Sequence, residues 1–224
     1  MNLEEKIHRL LDKEVAQVIA LTGDAAKEAG MRVYLVGGVV RDLLRNEASK
    51  DVDIAVEGDA ISLASKLKQK TSVTTHPSFG TATLKIGRIR IDLATARLER
   101  YASPGALPEV TPGNINNDLF RRDFTVNSMA VSLNEGTFGE LIDPFNGIYD
   151  IGEGLIRVLH DKSFEDDPTR IWRAIRYEQR LDFQIEQKTL ELLRDGISGL
   201  KLISGDRIRH ELELVIKEQK PEKA

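Results

Sequence analysis

The run Asp51-Val52-Asp53-Ile54-Ala55-Val56 constrains this chain more than any other stretch. Its β-branched residues favour a strand, and strand side chains alternate between faces, so Asp51 and Asp53 project together from one side. Paired carboxylates of that kind are oxygen ligands for a hard cation, and magnesium suits them. Just upstream, Val33-Tyr34-Leu35-Val36 reads as a strand that breaks at Gly37-Gly38 and leads into a short helix from Val39 to Arg45.

The rest of the chain divides into two parts. Residues 3–29 carry Ile7, Leu10, Leu11, Val15, Val18, Ile19 and Leu21 at helical spacing and end near Gly30, which predicts one opening helix. A helix over 61–68 follows, then strands over 72–75, 81–86 and 88–94 with Gly87 at a tight turn, so the fold class is mixed α/β with a partly antiparallel sheet. From Arg97 to Asn117 the chain is polar, and Pro104-Gly105, Pro108 and Pro112-Gly113 argue against regular structure. Beyond Ser163 it reads as helices, over 167–181, over 186–194 and from about Ser204, where Ile208, Leu212, Val215 and Ile216 form one apolar stripe.

Composition removes several function classes. With 224 residues, 41% of them hydrophobic, the chain can bury one good core, or a core with a helical appendage. The absence of cysteine excludes disulfides, thiolate zinc sites and cysteine nucleophiles. No apolar run is long enough to span a bilayer and the N-terminus lacks the core of a signal peptide, so no membrane is expected and a cytoplasmic location is the default. A net charge of -4 argues against a uniformly basic nucleic-acid binder, although not against a local basic face.

Several groups point to phosphate chemistry. The turn at Gly37-Gly38 lacks the G-x-G-x-x-G spacing of a dinucleotide site but carries Arg41, and glycine lets backbone N–H groups approach a phosphate at a helix N-terminus. Read structurally, the same glycines are a turn and nothing more. Asp92 in Arg90-Ile91-Asp92-Leu93-Ala94 is a third carboxylate if its strand lies beside the first pair, and a solvated surface residue if it does not. In Arg121-Arg122-Asp123, two arginines precede an expected helix start, where phosphate or ribose contacts are natural; the alternative is a surface salt-bridge cluster. Asp167, Arg170, Arg173 and Arg176 recur every three residues and so share neighbouring parts of one helix face, as a solvated charge stripe also does.

Taken in order, these motifs resemble a known family. Gly37-Gly38-Val39-Val40-Arg41-Asp42, Asp51-Val52-Asp53, Asp92-Leu93-Ala94-Thr95-Ala96-Arg97, Arg121-Arg122-Asp123-Phe124-Thr125-Val126-Asn127 and Asp166-Asp167-Pro168-Thr169-Arg170 are similar to the motifs of class II tRNA nucleotidyltransferases and bacterial poly(A) polymerases. The resemblance covers about Tyr34 to Phe183. It implies a polymerase-β-like catalytic head over 1–148, an all-helical neck over 149–224, and template-independent addition of CMP or AMP from CTP or ATP to an RNA 3′ end, that of tRNA above all.

Carried over position by position, the resemblance makes Asp51 and Asp53 ligands of a two-metal Mg²⁺ site and Asp92 the third carboxylate. Gly37, Gly38, Arg41 and Arg122 then contact the nucleotide phosphates or ribose, and Asp167, Arg170, Arg173 and Arg176 line the nucleotide pocket from the neck. Asp167 with Arg170 suits cytosine and adenine, which both offer an amino donor beside a ring-nitrogen acceptor, and rejects uracil and guanine, which present a carbonyl beside an N–H. The chain departs from the pattern in having Asp166-Asp167 where the family usually has Glu-Asp, and in stopping before the body and tail domains that normally hold tRNA. Because CC-only members are shortened between the third carboxylate and the Arg-Arg-Asp motif, the unshortened 97–117 stretch implies CCA or terminal-A addition, with that stretch moving as specificity switches. A poly(A) polymerase of the same family and a non-catalytic nucleotide- or RNA-binding remnant are the alternatives.

Other prominent residues read plainly. His8, His76, His160 and His210 have no metal-ligand spacing and suit surface or supporting positions. Trp172, flanked by Ile171 and Ile175, suits core packing, and the 208–216 stripe suits sealing the neck or meeting a partner.

Overall fold

The computed structural model describes residues 1–49, 51–68, 71–87, 89–218 and 221. Two compact units interleave along the chain. The first comprises Met1–Leu98, Thr111–Arg121 and Asn127–Phe145, and the second Glu99–Val110, Arg122–Val126 and Asn146–Ala224.

The first unit opens with two helices, α1 (Glu4–Leu10) and α2 (Lys13–Glu28), rather than the single expected one. Leu11 turns extended and Asp12 precedes the second helix, so the apolar positions restart on a new axis while Ile7, Leu11, Val15, Val18 and Ile19 stay buried. There follow β1 (Arg32–Val36), α3 (Gly38–Leu44), β2 (Val52–Glu57), α4 (Ala60–Lys66), β3 (Ser72–His76), β4 (Thr81–Ile86) and β5 (Ile89–Thr95). The expected first residue of the last strand, Arg88, lies outside the described residues.

The polar stretch is more regular than its composition suggests. It holds β6 (Arg97–Arg100) and β7 (Glu109–Pro112), paired as a two-stranded ribbon, then α5 (Ile115–Phe120). Pro112 is tolerated at the end of an exposed strand, which leaves 101–108 and the two residues before α5 irregular. Asn114 starts α5 with a capping box closed by Asn117. Arg121 therefore ends a helix instead of preceding one. A single 3₁₀ turn over Thr125–Asn127 leads to β8 (Ala130–Ser132) and β9 (Leu141–Ile142).

One sheet of seven strands runs β3-β4-β5-β2-β1-β8-β9, antiparallel except that β2 and β5 are parallel. Alternation gives it two unlike faces. Val33, Leu35, Val52, Ile54, Val56, Leu84, Ile91 and Leu93 point to the back, are buried, and pack on α2, α3 and α4. On the front, α5 covers Tyr34, Val36, Ala55 and Ala130 through Ile115 and Leu119.

The second unit adds α6 (Gly147–Glu153), β10 (Leu155–Ile156), α7 (Ser163–Asp166), α8 (Arg170–Leu181), β11 (Gln184–Ile185), α9 (Gln187–Gly196) and α10 (Gly205–Ile216). Over 146–224 its ladders are confined to the short parallel pair of β10 and β11 in otherwise helical chain, so the expectation of an all-helical part is corrected by one two-residue ladder. Its core joins Phe124, Val126, Ile156, Phe164, Ile171, Ala174 and Leu193. Segment 122–126 is fixed there by hydrogen bonds from the Thr125 N–H to the Arg157 carbonyl at 2.9 Å and from Thr125 Oγ1 to Asp150 Oδ2 at 2.6 Å. The stripe on α10 does not seal this core. Leu212 is 37% and Ile216 70% exposed, and the residue α10 buries is Glu211, turned toward Arg176. Among the described residues no helix is long and apolar enough to cross a membrane.

Candidate active site

On the front of the sheet, strand register sets three polar side chains in one row. Asp53 on β2 pairs with Asp92 on β5, and Asp92 pairs with Thr83 on β4. Residues paired across neighbouring strands lie on the same face, about 5 Å apart, so Asp92 does stand beside the first carboxylate pair. Asp51 and Asp53 are exposed. Asp92 is held from both sides, accepting from Thr83 Oγ1 at 2.6 Å and from Arg90 Nε at 3.1 Å. The Arg90 guanidinium is correspondingly harder to deprotonate, through its hydrogen bond to Asp92, the charge of Asp92 and the fields of Asp51 and Asp53.

These residues fit a divalent cation. Among the described residues no three His, Cys, Asp or Glu close into a metal cage; the carboxylates form an open row. Magnesium is commonly bound in that way, by one or two carboxylates with water and substrate phosphates completing the shell.

Next along the same row is Val36, paired with Asp53, and β1 ends there. Gly37 adopts φ 76°, a conformation glycine takes without strain, and thereby turns the chain straight into α3. Arg41 on α3 is buried, donating to Asn127 Oδ1 at 2.7 Å and to Asp42 Oδ1 at 2.8 Å. Its guanidinium is thus anchored beside the glycine turn, and Asn127, the last residue of the Arg-Arg-Asp motif, is one of its anchors.

The Arg-Arg-Asp motif is divided between the units. Arg121 belongs to the first, where it pairs with the buried Asp118 at 2.7 Å. Arg122 and Asp123 belong to the second. Arg122 is half-buried there, and Asp123 is buried, accepting from Arg173 Nε at 2.9 Å. The charge of Asp123 holds the Arg173 guanidinium well above its ordinary pKa.

Asp167 is not on the helix of the three arginines. The residue before a proline is driven out of the helical region, and Asp167, ahead of Pro168, is extended at φ -136° and ψ 94°. Its carboxylate instead accepts from the Thr169 N–H at 3.0 Å and from Thr169 Oγ1 at 2.6 Å, bracing the start of α8. Along α8 the arginines play unequal roles. Arg170 is 4% exposed and donates to Ser163 Oγ at 2.7 Å. Arg176 is 5% exposed and lies 3.6 Å from Glu211, over the Tyr177 ring.

A cavity of 440 Å³ opens within this unit, and Asp167, Thr169, Arg173, Arg207, His210 and Glu211 line it. Asp167 and Arg173 were expected at such a pocket, whereas Arg207, His210 and Glu211 were not. Their signal in the sequence was faint: Ser204 marks a helix start, which sets Arg207, His210 and Glu211 at spacings of three and four on one face. Trp172 is half-buried, and its indole N–H is buried with no hydrogen-bond acceptor among the described residues.

An open-fronted sheet with aligned carboxylates, followed by a helical unit with a charge-lined cavity, is the architecture of a nucleotidyltransferase head and neck. Residues 33–157 match the poly(A) polymerase head domain family, and residues 182–224 match the probable RNA and SrmB-binding site of polymerase A. The chain belongs to the poly(A) polymerase and tRNA nucleotidyltransferase family, as its motifs imply.

Among its relatives, the A-adding tRNA nucleotidyltransferase of Aquifex aeolicus is 46% identical over 85% of this chain and 24% of its own length. That of Halalkalibacterium halodurans is 39% identical over 98% of this chain and 53% of its own, and the CC-adding enzyme of Deinococcus radiodurans 36% over 92% and 56%. A CCA-adding enzyme in its apo form superposes with a TM-score of 0.94 at 44% identity, over 100% of this chain and 54% of that one. A CCA-adding enzyme with ATP gives 0.89 at 41% over 100% and 52%, and one from Thermotoga maritima with tRNA gives 0.85 at 42% over 100% and 52%. This chain spans about half or less of the relatives it matches.

Proposed function

We propose that this chain carries the head and neck of a tRNA nucleotidyltransferase that adds CMP and AMP, or the terminal AMP alone, to the tRNA 3′ end from CTP and ATP, in the cytoplasm. The observation that carries this reading is the in-register row of Asp53 and Asp92, with Asp51 beside it on an open sheet face. The relatives support it through their tRNA-directed activities and through the ATP and tRNA bound by two of them.

The reaction forms a bond from the RNA 3′-hydroxyl oxygen to the α-phosphorus and breaks the bond to the β-phosphate oxygen, releasing pyrophosphate. Asp51 and Asp53 hold the cation and Asp92 completes the carboxylate set. The bound ion supplies charge neutralisation at the phosphates and a lowered pKa for the attacking hydroxyl. Gly37 and Gly38 leave the backbone open to phosphate, with Arg41 and Arg122 adding charge. Asp167, Arg170 and Arg173 read or frame the base. Arg176, set against Glu211, supports the wall behind them.

The test supplies the protein and Mg²⁺ with tRNAs ending before CCA, after C and after CC, and with each labelled nucleotide singly and then ATP with CTP. Addition of A to the CC end alone establishes an A-adding enzyme, and ordered completion establishes CCA addition. A long A tail replaces the proposal with a poly(A) polymerase, and no incorporation overturns it.

A further inference from the structure

The carboxylate row on the sheet front has two unlike ends. Past Asp53 come Val36 and then the glycine turn with Arg41, the side assigned to the triphosphate. Past Asp92 the front continues over β4 and β3. There the register sets Lys85 beside Arg90, Ser72 beside Lys85 and Thr74 beside Thr83, and alternation puts all of them on the face of Asp53 and Asp92. Ser72, Thr74, Lys85 and Arg90 are exposed, and neither β3 nor β4 contains a carboxylate. Like charges directly across neighbouring strands repel, and Lys85 and Arg90 are such a pair. Arg90 has Asp92 to balance it, whereas Lys85 has no ion-pair partner among the described residues.

Phosphoryl transfer sets the attacking and leaving oxygens roughly in line across the transferred phosphorus. With pyrophosphate leaving toward the glycine turn, the attacking 3′ oxygen comes from the opposite end of the row, past Asp92. We propose that Arg90 and Lys85 form a phosphate track for the last nucleotides of the RNA strand, laid across β5 and β4 so that its 3′ hydroxyl arrives at Asp92. Arg90 joins the two ends of this arrangement. Its Nε donates to Asp92 Oδ1 at 3.1 Å and its Nη2 lies 2.9 Å from Oδ2, while 64% exposure leaves guanidinium surface for a phosphate. A phosphate between Arg90 and Lys85 removes their mutual repulsion. Ser72 and Thr74 extend the face with hydroxyls that donate to phosphate or ribose oxygens. Contacts of this kind carry no base sequence, so the track holds differently ending strands alike. The proposal rests on the reading of the carboxylate row given above.

Salt-dependent binding by the full chain tests it without catalysis. Two fluorescently labelled RNA hairpins are compared by anisotropy, one with a single-stranded 3′ end finishing in CC and one with that end removed. On the first, the slope of log affinity against log salt should become shallower by about 0.7 in K85A and in K85Q, and by about 1.4 in the K85A/R90A double variant. R90K keeps the charge and should keep the parent slope. On the hairpin without the single-stranded end, parent and variants should share one slope. In turnover, K85A should raise KM for the RNA more than KM for ATP. Urea midpoints matching the parent's establish that the exposed substitutions leave the fold intact. An unchanged slope in the double variant, an equal loss on both hairpins, or a parent that binds the two hairpins alike overturns the proposal. If the parent incorporates no nucleotide, the proposed function falls and the binding measurement still decides the track.

Discussion

The two units handle charge in opposite ways. On the sheet, Asp51 and Asp53 stand exposed on a front whose back holds the core, so the residues proposed to hold the cation are ones that folding does not need. In the helical unit Arg170 and Arg176 are drawn into the interior beside Ser163 and Glu211, and the half-buried Arg173 pairs with the buried Asp123. A buried guanidinium is tolerable only when it is paired, so on the proposed reading recognition is bound up with stability. On the proposed reading, metal chemistry needs accessible carboxylates, whereas choosing a base needs firmly held side chains.

Removing one carboxylate from each unit should separate these behaviours. Asp53→Ala should lower nucleotide incorporation about 10³-fold while the unfolding midpoint in urea stays put; normal turnover would sink the metal assignment. Asp123→Ala should do the reverse first, costing about 3 kcal/mol of stability by stranding Arg173, measurable by chemical denaturation before any assay. If both variants are equally stable, the contrast between the units is wrong. Arg170→Ala should relax discrimination among ATP, CTP, UTP and GTP about tenfold and also weaken the fold; unaltered discrimination would move the base-reading face elsewhere.

A pH experiment sharpens the same point. Burial pushes the Glu186 carboxyl up, but hydrogen bonds from the Thr189 backbone, the Thr189 side chain and the Lys188 backbone, with Arg157 nearby, bring it below its ordinary 4.5. A carboxyl whose folded pKa is depressed adds stability above the unfolded pKa and loses it as pH falls through the lower folded value. As the N-cap of α9, Glu186 should contribute about 1 kcal/mol at neutral pH. The gap between the parent and Glu186→Gln should close in denaturation curves taken below pH 4.5. Smallest of all, Arg90→Ala should shift stability by under about 0.5 kcal/mol, since Arg90 is 64% exposed on the sheet front.

Much of the sheet unit was legible because alternation in a strand is rigid: the Asp-Val-Asp run declared its two faces, and Thr81–Ile86 fell where its pattern placed it. The helical unit was harder to read. A spacing of three put Asp167 in line with Arg170, but one proline outweighs such a spacing, and Pro168 set Asp167 aside. An apolar stripe suggested that α10 buries Ile208, Leu212 and Ile216. The helix turned Glu211 inward instead, because Arg176 needs a counter-charge more than that core needs another aliphatic side chain. Partners far apart in sequence, such as Asp123 with Arg173 or Arg207 with Asp167, leave no periodic mark.

The interleaving of the two units bears on how the chain is made. Phe124 is 0% exposed, yet it leaves the ribosome well before Phe164, Ile171, Ala174 and Leu193, which cover it. The sheet unit has its last strand once Ile142 has emerged, while 99–110 and 122–126, which precede that strand in the chain, wait for companions not yet synthesised. During that interval an apolar residue stands uncovered, a state that invites aggregation. A cut placed just after residue 148 would make the interval permanent.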